Sequence, residues 1–126
     1  MKYNEANGQP NRIEKGTKIT GEIQSESDFR IDGILEGSIS TSGKVVIGKE
    51  GKINGKVICK NADFEGVFSG NLEVKETLTL KSSSKTEGDV IISKLIVDAG
   101  AFFNAKCSMK LTSDVKSISE NREKID

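Results

Sequence analysis

Leu35–Ile39 reads LEGSI and Ile53–Val57 reads INGKV, and the fold is decided by how often this apolar-x-Gly-x-apolar phrase returns. Upstream it is ITGEI at Ile19–Ile23. Downstream it is FSGNL at Phe68–Leu72, TEGDV at Thr86–Val90 and FNAKC at Phe103–Cys107, where Ala replaces the glycine. Successive copies begin 16, 18, 15, 18 and 17 residues apart. A self-similar period of this size specifies stacked units, each burying its apolar face against its neighbours.

Between the copies lies a second pattern, two apolar residues two positions apart: Phe29/Ile31, Val45/Ile47, Ala62/Phe64, Leu78/Leu80 and Leu95/Val97. Ile13 fits the second place of such a pair one period upstream, so the repeat spans Ile13 to Leu111. Inside a copy the apolar positions alternate. Phe68, Gly70, Leu72 and Val74 share one side, and Ser69, Asn71 and Glu73 the other. That is the signature of a half-buried strand. From pair to next copy the step is four or six residues, which preserves the inward face. From copy to pair it is five or six, so parity breaks and a true corner must sit there. The glycines Gly21, Gly37, Gly55, Gly70 and Gly88 fall at inward positions, where they predict a bend bringing the backbone close to the core, with Ala105 a mild departure.

Three short strands and three corners per repeat describe a parallel β-helix, an all-β solenoid of about six rungs and roughly 30 Å. Four apolar columns fill its interior, headed by Ile19, Ile23, Phe29 and Ile31. Thr86 is the polar residue of the first column and is expected to hydrogen-bond neighbouring backbone. Residues 1–12 and 112–126 are polar and read as disordered tails flanking a 13–111 β-helix domain.

Composition excludes several function classes. Among 126 residues there are 19 basic and 19 acidic, no basic excess to bind nucleic acid through its phosphates. No His is present, so the commonest general base and neutral metal ligand are missing. Ser82–Ser84 beside Lys85 reads as a polar corner, because nothing supplies the positioned base a serine nucleophile needs. No small-molecule substrate, cofactor or metal is expected, and no enzymatic activity. Cys59 and Cys107 lie about three rungs apart, too far for a disulfide, and read as small core residues of a reducing compartment. The N-terminus lacks the apolar region of a secretory signal, so a cytoplasmic location is expected. Charge changes sign from residues 13–43 to the lysine-rich 44–60, which is expected to bring Glu36 near Lys52 or Lys56.

A solenoid without caps exposes its terminal columns and unpaired backbone groups. The sequence shows no cap at either end. Ile13, Ile19, Ile23, Phe29 and Ile31 are therefore expected to form an interface at the N-terminal end. Phe103, Cys107, Met109 and Leu111 are expected to form one at the C-terminal end, with Phe102 pointing outward beside them as a further contact. Such ends template stacking of one copy on another. A left-handed hexapeptide acyltransferase does not fit periods of 15 to 18 without His. A non-polymerising β-helical module that binds polysaccharide or protein is the competing reading.

The stretches TKITGEI, FRIDGILEGSI and VVIGKEGKINGKV, within Ile13–Leu111, resemble the bactofilins, bacterial polymer-forming cytoskeletal proteins. The resemblance implies a right-handed β-helix that assembles without nucleotide into non-polar filaments, joined end to end through hydrophobic terminal rungs. It implies a scaffold for cell shape, appendages or envelope organisation. The implied partners are further copies of itself, peptidoglycan-modifying enzymes and the inner face of the cell membrane.

Overall fold

The computed structural model describes residues 10–109. Of the expected tails, residues 1–9 and 112–126 lie outside that range, and Asn11 and Arg12 already belong to the first strand. Nine strands follow one another: β1 (Asn11–Ile13), β2 (Lys18–Ser25), β3 (Phe29–Ile31), β4 (Ile34–Thr41), β5 (Lys44–Ile47), β6 (Lys52–Phe64), β7 (Val67–Leu80), β8 (Lys85–Val97) and β9 (Phe102–Met109). Every pairing is parallel, between elements one period apart. The chain is an all-β parallel solenoid of about six turns.

The ladders align the repeats as their spacing requires. Ile19, Leu35, Ile53, Phe68, Thr86 and Phe103 are successive partners, as are Ile23, Ile39, Val57, Leu72, Val90 and Cys107. Phe29, Val45, Ala62, Leu78 and Leu95 align, and beside them Ile13, Ile31, Ile47, Phe64, Leu80 and Val97. Away from the ends these side chains are buried, and the Phe64 and Phe68 rings stack at 5.6 Å across a tight corner. Cys59, Val74 and Ile92 add a further buried column that the pair pattern does not reveal.

The corners explain the varying step lengths. Where the step is six residues, a β-turn is inserted: Thr17 N donates to Glu14 O, Gly51 N to Gly48 O, Ser84 N to Lys81 O and Ala101 N to Asp98 O. Where it is four, only Asp32–Gly33 or Glu65–Gly66 rounds the corner. At the other corner the register shifts between Val74 and Thr77, and Asn61 Oδ1 accepts the Thr77 amide at 3.2 Å. In the rungs below, Thr41 Oγ1 donates to Ser27 O at 2.6 Å and accepts the Gly43 amide.

The glycine column bends the chain for a reason other than the one its parity suggests. Gly21, Gly37, Gly55, Gly70 and Gly88 have φ between +123° and +144°. A Cβ on Gly37, Gly55, Gly70 or Gly88 would point along the stack into the carbonyl oxygen of the glycine one rung below, not into the core. Only a residue without Cβ allows both this bend and the rung-to-rung approach. Ala105 is more than a mild departure. Among the described residues none but glycine has positive φ, so Ala105 holds the ladder position above Gly88 without the backbone conformation of the glycine column.

Candidate functional site

The candidate site is the pair of ends where the ladders stop. At the N-terminal end β2 has no partner below it among the described residues, and Ile19, Ile23 and Phe29 are half-buried. Gly21 has nothing within 4 Å of where its Cβ would stand. Two expected members of this end are not open. Ile31 is 0% exposed because Ile13 lies directly beneath it, and Ile13 itself is only 4% exposed. The terminal layer is therefore Ile19, Ile23 and Phe29, with Ile13 packed as their neighbour.

At the C-terminal end β9 is the last strand of its ladder among the described residues. Phe103 and Ala105 are half-buried and Cys107 is exposed. Met109 closes β9 in register with Ile92, while Leu111 lies outside the described residues. Sequence reasoning missed two members of this end. β9 covers only part of the rung below, so Leu95 is half-buried and Val97 is 46% exposed. The signal was legible: one period after Leu95/Val97, residues 112–114 read TSD and no apolar pair returns. Phe102 points outward, as its parity requires, and is 47% exposed on the wall.

The walls carry paired charge. Arg12 and Arg30 are ladder partners, and Asp32 lies against both, at 3.8 Å from Arg12 Nη2 and 2.9 Å from Arg30 Nε. The Asp32 hydrogen bond holds the Arg30 guanidinium above its ordinary pKa. Lys15 meets Glu50 at 2.8 Å, bridging two protruding β-turns over the recessed Asp32–Gly33 corner. Glu36 pairs with Lys18 at 3.5 Å and not with Lys52 or Lys56, because Asn54 is its ladder partner in the rung above. These pairs are exposed or partly exposed, each contributing about 0–1 kcal/mol, and they set the surface more than the stability.

The remaining candidates carry no evident chemistry. Thr86 Oγ1 is buried and, contrary to expectation, has no hydrogen-bond partner, since the backbone groups around it are spent on the ladders. Burial pushes the Cys59 thiol up to about 12 and raises that of Cys107. Among the described residues no group of His, Cys, Asp and Glu is arranged to hold a metal, and no helix is long and apolar enough to cross a membrane.

Comparisons with known proteins agree with this architecture. Residues 11–108 match the family described as Bactofilin, polymer-forming cytoskeletal. Bactofilin BacP of Myxococcus xanthus is 28% identical over 91 residues, covering 72% of this chain and 38% of the relative. Bactofilin BacO of the same organism is 25% identical over 93 residues, 74% of each chain. The chain thus spans well under half of one relative and about three quarters of the other. Among solved structures, a phenylalanine-to-arginine point mutant of a bactofilin from Thermus thermophilus superposes with a TM-score of 0.68 at 21% identity, covering 71% of this chain and all of that one. The repeat, the six-turn parallel solenoid and the match along nearly all of it lead to one conclusion: this chain belongs to the bactofilin family of polymer-forming cytoskeletal proteins.

Proposed function

We propose that this chain is a self-assembling scaffold whose β-helices stack end to end into non-polar filaments without nucleotide. In this reading the filaments lie in the cytoplasm at the inner face of the membrane. There they organise cell-shape or envelope machinery, with peptidoglycan-modifying enzymes as partners. The protein's role is structural, not catalytic. One observation carries the reading. Core columns that are fully covered in the middle of the stack continue to its ends, where Phe103, Leu95 and Val97 stand partly bare beside an edge of β9 that is unpaired among the described residues. A long open β-edge beside apolar side chains is a template for another edge. Burying those side chains contributes about 25 cal/mol per Å² of apolar surface.

Phe103→Arg tests the end. It places a charge where a second rung must sit, at a cost of about 3–5 kcal/mol per contact. The variant is expected to keep its β-sheet circular dichroism and stop sedimenting as polymer at high speed. If it polymerises like the unaltered chain, the C-terminal end is not the interface. If the unaltered chain stays monomeric at high concentration, the competing reading, a non-polymerising binding module, takes over.

A further inference from the structure

The last rung ends where its apolar columns are least covered. In the rung below, the strand rounds the corner and continues, with residues 77–80 of β7 paired to 94–97 of β8. β9 stops at Met109, over Ile92, so among the described residues nothing pairs above 94–97. Leu95 is left half-buried and Val97 46% exposed at the point where residues 110–126 leave the ladder. A further regular rung there would set Thr112, Ser113 and Asp114 on the apolar columns, and burying such polar groups is costly. The apolar period changes instead. Leu111, Val115 and Ile118 are spaced four and three apart, the spacing of one helix face and not the alternation of a strand. Repeat arrays close on terminal units that differ in this way from the rest.

We propose that residues 111–118 fold back over the C-terminal end of their own molecule as a cap, with Leu111, Val115 and Ile118 seated on Leu95 and Val97. The reach is short, because Met109 stands one rung above Ile92 and the segment begins at the next residue. A helical stripe from 111 to 118 is about 10 Å long at ~1.5 Å per residue, against about 7 Å between Leu95 and Val97 along their strand. A tether this short gives the cap an effective concentration on the order of millimolar. Two half-covered side chains hold it weakly, so a second copy that lays a whole strand on β9 displaces it. The cap thereby sets the concentration at which the end opens to assembly. That consequence rests on the filament reading, whereas the contact within one chain does not.

Thiol pairing in the full chain tests the contact. In a Cys107→Ser background, with Cys59 buried, Val97→Cys/Val115→Cys is compared with Ile91→Cys/Val115→Cys at concentrations too low for the chain to pellet. Ile91 is exposed on the wall directly beneath Ser108, as near the root of the segment as Val97 is, so it reports random encounters. Under diamide the Val97 pair is expected to link within one chain at least tenfold faster than the Ile91 pair. Equal rates, a faster Ile91 pair, or links only between chains would overturn the cap. The consequence is read by high-speed sedimentation of Val115→Ser/Ile118→Ser, which alters no residue of the ladders. Its threshold for pelleting is expected to fall at least threefold, and an unchanged or higher threshold would overturn the control of assembly. If the unaltered chain never pellets, the filament reading fails, and the thiol comparison still decides the cap.

Discussion

Thr86 and the glycine column show how strictly the stack constrains single residues. A buried hydroxyl without a partner costs about 1–3 kcal/mol relative to a satisfied one. Thr86→Val removes that hydroxyl at nearly constant shape and is expected to raise unfolding stability by about 1 kcal/mol in urea titration; destabilisation would mean that a bound water satisfies it. Gly55 faces two penalties, a φ of +144° and the Gly37 carbonyl beneath it. Gly21 faces only the first, at φ +136°. Gly21→Ala is therefore expected to cost about 1–3 kcal/mol from backbone strain. Gly55→Ala should cost visibly more in the same assay, and equal costs would contradict the close-approach argument. Cys59 titrates abnormally for the same reason of burial. Its folded pKa, about 12, lies above its ordinary 9.0, so folding favours the thiol. That stability is fully present below pH 9 and is lost as pH rises toward 12. Cys59→Ala should flatten the decline across that window, and an unchanged slope would show that the thiol does not contribute.

At the scale of the element, each strand is stabilised by the rungs above and below it, so equal truncations differ by position. Leu35 in β4 is fully buried between Ile19 and Ile53, and Leu35→Ala is expected to cost about 2–5 kcal/mol. Leu95 in β8 is half-buried with no described partner above it, and Leu95→Ala should cost under half as much in the unassembled protein. Much of the element structure was legible in the sequence, because period-two alternation and a constant parity define the inward columns. The corners were less so. The four-or-six step was visible, but only the hydrogen bonds show that the two extra residues close a β-turn. The parity of the glycines suggested that they face inward, whereas positive φ turns the missing Cβ along the axis. A linear pattern records which side a residue takes on a flat strand, not where a bent strand aims it. The Lys18–Glu36 pair escaped notice because long charged side chains reach along the ladder further than sequence spacing predicts.

For the whole molecule, the sequence announced a solenoid with open ends but not how each end is finished. The spacing places Ile13 one period before Ile31 but does not show that the two stack directly, which leaves Ile31 covered at the N-terminal end. Leu95 and Val97 form the last apolar pair in the sequence, and they stand partly bare because β9 pairs only with the Lys85–Ile92 part of β8. Stacking both ends on other copies would cover what the single molecule leaves bare. High-speed sedimentation and negative-stain electron microscopy of the purified full chain, in EDTA and without nucleotide, test that claim most directly. The account predicts thin filaments of uniform width that pellet under those conditions. Discrete monomers at every concentration would contradict it.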